Sequence, residues 1–232
     1  MPDSHLNNVR ELPLFREMDA SNFDALMRGS YVQNFPAQID LIAEGEPADF
    51  LHVVIEGAVE LYAAWSGRET SMATVRPIAT FILAATIRDA PYLMSARTLE
   101  RSRIALIPSQ DVRAAFDSDG HFARAIVAEL AQSYRSVVKT TKDLKLRTSL
   151  ERLANYLLRE QKRQSGAAAF DLPYDKKRIA SFLGMTPENL SRAFRSLEPY
   201  GIDINGARIV VRDQDELERF ARPSPLIDDH RT

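Results

Sequence analysis

The chain has 232 residues, a formal net charge of −2 and 45% hydrophobic residues, enough for one large or two modest domains with their own cores. It contains no cysteine, which excludes disulfides, thiolate redox chemistry, cysteine-ligated iron–sulfur clusters and cysteine zinc sites. No apolar run reaches the roughly 18 residues of a membrane span, and the N-terminus lacks the order of a signal peptide. We therefore expect no membrane partner and a cytoplasmic location.

The first half of the chain changes from a helical to a strand-like pattern. Residues 6–29 predict helices, because their apolar residues recur at helical spacing. From Tyr31 to about Ser109, short apolar or alternating runs are separated by glycines and prolines. The predicted strands are 40–43, 50–55, 58–62, 72–75 and 102–107. Short strands at regular spacing predict an antiparallel sandwich or barrel.

Two helices are predicted next, over about 121–140 and 148–164. The longer helix carries a narrow apolar stripe made of Phe122, Ile126, Leu130, Tyr134 and Val137. A narrow stripe without internal glycine or proline suits a helix that pairs with its twin in a dimer. The alternative is a helix that packs on its own sheet.

Positive charge is concentrated in two segments of this acidic chain. Residues 135–163 sum to +6 and residues 176–195 to +4, so the remainder is near −12. A basic patch on an acidic protein is a plausible footprint for nucleic acid. A solvated helix face explains the charge equally well.

Residues 176–194 predict two short helices around a tight turn, which is the pattern of a DNA-binding helix-turn-helix. Gly184 suits the turn, Thr186 suits the N-cap of the second helix, and Pro187 suits its first position. Beyond this helix, two apolar runs flank Asn205-Gly206, which predicts a hairpin, or wing.

The second helix presents Glu188, Ser191 and Arg192 on one face, because they are spaced at i, i+3 and i+4. Arginine can bond guanine, glutamate can accept from cytosine, and serine can bond either a base or a phosphate, so we predict that this trio reads bases. Glu188 and Arg192 could instead form an exposed ion pair. The residues predicted to contact DNA phosphates are Lys176, Lys177, Arg178, Thr186, Arg195 and Arg208.

The chain resembles the cyclic-AMP receptor protein/FNR family of bacterial regulators most clearly at residues 42–49, 54–59 and 183–192. The likeness covers nearly the whole chain. The pattern Glu188, Ser191, Arg192 is similar to the FNR branch, and nearest in type to DNR, NnrR and FixK regulators. The resemblance implies that a homodimer binds a palindrome of TTGAT-type half-sites on double-stranded DNA, with RNA polymerase as a further partner of an activator.

The same resemblance indicates which cofactors should be considered for this chain. Nucleotide-binding members carry a Gly-Glu pair for the ribose and an Arg-Ser pair for the phosphate. Residues 77–98 contain no Gly-Glu pair, and Arg97 is displaced toward the next strand, which argues against cyclic AMP. An FNR-type cluster is excluded by the absence of thiols. Some related regulators are thought to sense nitric oxide through haem, so haem is a candidate cofactor, with His52 and His121 as candidate ligands. Both are also typical structural or surface histidines, and we expect no other metal site.

We therefore predict an α+β chain. Residues 1–120 form an antiparallel β-roll sensor, similar to a cyclic-nucleotide-binding jelly roll. Residues 121–145 form a dimerisation helix with a hinge near Lys142–Lys145, residues 146–222 a winged helix-turn-helix, and residues 223–232 a flexible tail. The predicted function is sequence-specific transcription regulation, responding to nitric oxide or low oxygen through haem.

The sequence is also compatible with two other modes of regulation. A FixK-type regulator could act without a ligand and be controlled by its abundance, or the regulator could respond to a cyclic nucleotide. An enzyme is not expected, because the chain has no glycine-rich phosphate loop, metal-spaced histidine cluster or Ser/His/Asp arrangement.

Overall fold

The computed structural model describes residues 9–229. The chain divides into two compact units, Met1–Ala131 and Gln132–Thr232, and the boundary falls inside the longest helix. Each unit has its own buried apolar core. No helix among the described residues is long and apolar enough to cross a membrane.

Two antiparallel four-stranded sheets form most of the N-terminal unit. Their strands are β1 (Tyr31–Phe35), β2 (Asp40–Ile42), β3 (Phe50–Glu56), β4 (Val59–Trp65), β5 (Arg68–Val75), β6 (Ala79–Phe81), β7 (Ser95–Thr98) and β8 (Ser102–Pro108). One sheet has the order β1–β8–β3–β6, and the other has the order β2–β7–β4–β5. The chain crosses repeatedly between the two sheets, so the predicted β-roll is confirmed.

Strand β3 lies inside the first sheet and is buried over most of its length. Its register pairs His52 with Leu106 on β8 and with Phe81 on β6. Gly57 then makes the turn into β4 at φ +86°, a left-handed value that glycine adopts without strain. A Cβ atom there would lie 2.6 Å from the carbonyl oxygen of Arg101. The turn therefore needs glycine both for its conformation and for its space.

Helices pack on the sheet with the order β1–β8–β3–β6, and the last of them continues beyond this unit. They are α1 (Pro13–Arg16), α2 (Ala20–Arg28), α3 (Leu83–Arg88), α4 (Ser109–Ser118) and α5 (Gly120–Leu146). The carboxylate of Asp119 caps α5 by accepting the N–H groups of His121 and Phe122, each at 3.0 Å. Its other oxygen accepts the N–H of Asp19, at 2.9 Å, which ties the start of α5 to the start of α2.

The first turns of α5 pack into the N-terminal unit. Phe122 and Ile126 are fully buried in its core, and Leu130 packs half-buried against the same cluster. The predicted dimer stripe is therefore corrected at Phe122 and Ile126, because the β-roll's own core covers these two side chains. Tyr134 and Val137, farther along the helix, are 71% and 63% exposed.

The C-terminal unit is a winged helix-turn-helix, as predicted. Its elements are α6 (Ser149–Arg163), β9 (Ala169–Asp171), α7 (Lys176–Phe182), α8 (Pro187–Leu197), β10 (Ile202–Asn205), β11 (Arg208–Val211), α9 (Gln214–Ala221) and α10 (Pro225–Asp228). Strands β10 and β11 form the wing hairpin, and β9 pairs with β11 to complete a three-stranded sheet.

The junction between α5 and α6 lies later than the predicted hinge at Lys142–Lys145. Helix α5 continues to Leu146, and only Arg147 and Thr148 separate it from α6. Thr148 starts α6 with a capping box. Its hydroxyl accepts the N–H of Glu151 at 3.3 Å, and the carboxylate of Glu151 accepts the N–H of Thr148 at 2.8 Å. The hinge position is corrected because the helix persists through the predicted segment.

The tail that was predicted to be flexible from residue 223 contains α10, and residues 230–232 lie outside the described residues. Asp228 in α10 forms ion pairs with Arg147 and Arg159. The expectation of flexibility is corrected for residues 224–229, because these ion pairs hold the segment against α6 and the junction.

Candidate DNA-recognition site

The turn of the helix-turn-helix is fixed by its backbone. Asp175 caps α7 by accepting a backbone N–H of the first turn at 2.8 Å. Gly184 has φ +62°, and the N–H of Met185 donates to the carbonyl of Ala180 at 2.9 Å. A Cβ atom on Gly184 would lie 3.0 Å from the side chain of Leu144, so glycine also allows a close approach here.

Helix α8 begins as predicted. The Thr186 hydroxyl accepts the N–H of Asn189 at 3.2 Å, and Pro187 occupies the first helical position. Leu190 and Phe194 bury the inner face of α8 in the core of the unit. The opposite face therefore points away from that core.

The three predicted base-reading residues lie on this outer face. Glu188 and Arg192 are exposed and Ser191 is half-buried. Arg192 donates to the side-chain oxygen of Asn189 at 2.5 Å, and the Ser191 hydroxyl donates to the Pro187 carbonyl at 3.0 Å. The alternative, an exposed ion pair between Glu188 and Arg192, is therefore not the hydrogen bond that Arg192 makes here.

Glu188 stays ionised on this face. Its pKa lies below its ordinary value, first because the carboxylate accepts its own backbone N–H and second because it accepts from Thr186. The face presents one acceptor, Glu188, and one cationic donor, Arg192, one helical turn apart. These groups match the donor of cytosine and the acceptors of guanine in a major groove.

The residues predicted to contact phosphates differ in their exposure and in their partners. Lys176, Lys177 and Arg195 are exposed. The guanidinium of Arg178 lies 5.6 Å from the ring centre of Tyr174. Thr186 uses its hydroxyl as the cap described above, and Arg208, on the wing, pairs with exposed Asp171 at 3.3 Å. An exposed pair of this kind is weak and can exchange for a phosphate.

Much of the positive charge on α5 and α6 is used inside the C-terminal unit. Arg147 and Arg159 bind Asp228. Arg152 is 9% exposed and donates to backbone carbonyls, and Lys139 is buried. The predicted basic footprint over residues 135–163 therefore contracts. The cations of this segment that stay exposed are Arg135, Lys145, Lys162 and Arg163.

The two candidate haem ligands have unsuitable surroundings. His52 is 3% exposed, and its ring stacks on Phe81 with centroids 4.9 Å apart. Burial lowers the pKa of His52 to about 4. His121 is exposed at the start of α5, beside Arg124. Because an axial ligand must turn a ring nitrogen into an open apolar pocket, neither residue fits a haem. Among residues 9–229 no group of three or more histidine or acidic side chains is placed to hold a metal.

Arg97 on β7 is engaged by carboxylates. It pairs with buried Glu60 at 2.7 Å and with Glu69 at 2.5 Å, and its guanidinium lies 4.4 Å from the ring centre of Tyr62. A cyclic phosphate would have to displace two carboxylates to use this cation. The surroundings of Arg97 therefore do not fit a phosphate site. Sequence reasoning missed this cluster, because its members lie on three separate strands.

Two family profiles match the chain. The cyclic nucleotide-binding domain matches residues 32–119, and the Crp-like helix-turn-helix domain matches residues 151–220. These two ranges correspond to the β-roll and to the winged helix-turn-helix.

Individual proteins with similar sequences match most of the chain. The CRP-like cAMP-activated global transcriptional regulator of Mycobacterium tuberculosis is 25% identical, over 90% of this chain and 96% of its own length. The transcriptional activator protein anr of Pseudomonas aeruginosa is 22% identical, over 76% of this chain and 75% of its own. The solved structure of FixK2 from Bradyrhizobium japonicum is 26% identical, with a TM-score of 0.68, over 84% of this chain and 98% of its own.

Proposed function

Because the chain belongs to the cyclic-AMP receptor protein/FNR family of transcription regulators, we propose that it binds a palindrome of TTGAT-type half-sites as a homodimer. The observation that carries this proposal is the outer face of α8, where Glu188, Ser191 and Arg192 lie together opposite the buried side. The family is one of regulators and not of enzymes.

The chemistry of this face supports a half-site that contains one G·C pair. Arg192 would bond the guanine in the fork geometry that arginine provides, and Glu188 would accept from a cytosine amino group. On binding, Arg192 exchanges its bond to Asn189 for the base. Lys176, Lys177 and Arg195 would hold the phosphates beside the groove, which sets register and salt dependence.

Exposed apolar residues on α5 support the homodimer. Val127, Tyr134 and Val137 are all more than half exposed along one helix. Apolar side chains repeated along a helix surface are typical of a coiled-coil seam. A two-fold dimer would present two α8 helices to the two halves of a palindrome.

The surroundings of His52 and Arg97 favour regulation without a small ligand. The predicted response to nitric oxide or oxygen through haem finds no support in the packing of His52 or in the exposed position of His121. The carboxylates on Arg97 disfavour a cyclic nucleotide. We therefore favour the alternative in which the purified protein is competent to bind DNA and its abundance sets its activity.

The test is a titration of a fluorescent TTGAT palindrome with the purified full chain in the absence of any ligand. We expect specific binding that weakens linearly with the logarithm of salt concentration. Replacing the half-site G·C pair by A·T should weaken binding by about 1–3 kcal/mol for each half-site. Arg192→Ala should weaken binding to the intact site by a similar amount and should reduce the preference for the G·C pair to the part that Glu188 contributes.

Arg219→Ala is the matched control, because it removes the same charge from an exposed position on α9, outside the helix-turn-helix. It should retain the sequence preference. An Arg192→Ala protein that discriminates between the two sequences as strongly as the wild-type chain would exclude Arg192 as a base reader. Binding that requires added haem or cyclic nucleotide would exclude the ligand-independent mode.

A further inference from the structure

The carboxylate of Asp228 is the centre of an ion network at the C-terminal end of the chain. Its two oxygens each accept from Arg147 at 2.7 Å, and one of them also accepts from Arg159 at 2.8 Å. The backbone N–H of Ser224 donates to the same carboxylate at 2.7 Å. The side chains of Arg147 and Asp228 are only 8% and 12% exposed, so salt screens this pair weakly.

The same segment also crosses the last turns of α5. The backbone carbonyl of Leu226 accepts from Lys142 at 3.3 Å, and that of Asp229 accepts from Lys139. The carbonyl of Arg222 accepts from Arg147 at 3.5 Å. Residues 222–229, which we call the C-terminal clasp, thus contact α5, the α5–α6 junction and α6. All of these contacts lie within the C-terminal unit.

Asp228 is ionised in this setting. Burial by itself would raise the pKa of Asp228, but the hydrogen bonds from Arg147 and the Ser224 N–H hold that pKa below its ordinary value. Arg147 also donates to Asp143 at 2.9 Å, from the same Nη1 that donates to Asp228. Without Asp228, Arg147 would keep Asp143 but would lose its only described side-chain partner on the clasp.

The junction is in turn connected to the helix-turn-helix. Arg152 donates one N–H to the carbonyl of Arg147 at 2.8 Å and another to the carbonyl of Leu183 at 2.9 Å. Leu183 lies in the turn that precedes α8. A continuous set of hydrogen bonds therefore runs from the clasp, through the junction, to the base of the candidate recognition helix.

We propose that the C-terminal clasp holds the α5–α6 junction at one angle. Asp228 is then a positioning residue, because this angle fixes the spacing of the two recognition helices in the dimer. This role rests on the proposed function. It follows because α5 carries the dimer contacts and α6 belongs to the DNA-binding unit, so the angle at Arg147 decides where each α8 meets the duplex. Half-site spacing is the quantity that this geometry controls.

The test compares DNA palindromes whose half-site centres are about one helical turn apart with palindromes lengthened by about two base pairs, which rotates one half-site by about 70°. The wild-type chain should prefer the first palindrome by about tenfold or more. Asp228→Asn should reduce that preference to about threefold or less while retaining the preference for the G·C pair within each half-site. Deletion of residues 223–232 should have the same effect.

Glu216→Gln is the matched control, because it removes a carboxylate from a different arginine pair of the same unit. It should keep the wild-type spacing preference. Hydrogen exchange gives a readout that does not need DNA: amides of residues 143–148 should exchange about tenfold faster in Asp228→Asn, and those of α8 should not change.

The outcomes separate the two proposals. Suppose that the wild-type chain binds the palindrome specifically and that Asp228→Asn keeps the wild-type spacing preference and exchange rates. The proposed role of the C-terminal clasp is then contradicted, and the proposed function is not. Loss of base discrimination together with spacing discrimination would also contradict the role of the clasp, because that result indicates general unfolding. If the wild-type chain shows no specific binding, the proposed function itself fails, and the positioning role of Asp228 fails with it.

Discussion

Gly57 and Gly67 make the turns at the two ends of β4 with similar left-handed backbones, at φ +86° and +75°. Their surroundings differ. A Cβ on Gly57 would lie 2.6 Å from the Arg101 carbonyl oxygen and 2.7 Å from the Cα of Ser102, whereas nothing lies within 4 Å of a Cβ on Gly67. The first position therefore combines conformational strain with a clash against backbone atoms that cannot easily move.

Gly67→Ala should lower the free energy of unfolding by about 1 kcal/mol, the cost of the left-handed conformation alone. Gly57→Ala should lower it by about 3 kcal/mol or more, because overpacking adds to the same strain. Urea unfolding of both variants, monitored by a probe in the N-terminal unit, measures the difference. Equal losses would show that the backbone around Gly57 relaxes freely.

The proposed reading face on α8 illustrates which residues can be predicted from the sequence. Glu188, Ser191 and Arg192 share a face through helical spacing alone, so local pattern was sufficient to place them together. The pair of Arg147 with Asp228 spans 81 residues, and no local pattern indicates that the two meet. Without this pair the sequence predicts a larger basic surface on α5 and α6 than the structure shows, because Arg147 and Arg159 both pair with Asp228.

Helix α6 starts with a capping box that is sensitive to pH. The pKa of Glu151 is lowered from its ordinary value of 4.5, first because its carboxylate accepts the backbone N–H of Thr148 and then because it accepts the Thr148 hydroxyl. A depressed carboxylate pKa contributes stability that is present above about pH 4.5 and is lost as the pH falls through the lower, folded-state pKa.

Glu151→Ala should therefore lower the free energy of unfolding by about 1 kcal/mol at pH 7, the usual value of a lost cap. The difference from wild type should shrink as the pH falls below 4.5. Glu129→Ala removes an exposed carboxylate from α5, away from any helix cap, and is the control at each pH. The measurement is urea unfolding at several pH values. A Glu151→Ala effect that stays constant down to pH 3 would contradict this role of the ionised carboxylate.

The elements with strong local signals were predicted, and the weak ones were missed. Helix α6 and helix α8 have clear caps and apolar stripes, so their bounds are close to those predicted. Strands β6 and β7 have only three and four residues, and they were not predicted. Such short strands exist because β3 and β4 supply their hydrogen-bond partners, which is tertiary information that a local pattern does not contain.

Dimerisation decides whether the molecule can read a palindrome. The core of the N-terminal unit buries Phe122 and Ile126 at the start of α5, so we place the seam of the proposed dimer at exposed residues of this helix, among them Tyr134 and Val137. A charge placed at Val137 would have to be buried without a partner when two α5 helices pair, and this cost opposes association. On the isolated chain the same charge lies in water and costs little.

Val137→Glu should consequently be folded but monomeric at micromolar concentration, whereas the wild-type chain should have twice the 26.1 kDa chain mass in sedimentation equilibrium. Its affinity for a palindrome should fall to that for a single half-site, because the second contact is no longer linked to the first. Met72→Glu, at an exposed position on β5, is the control and should remain dimeric. A Val137→Glu protein that stays dimeric and keeps the palindrome affinity would place the seam away from this face of α5.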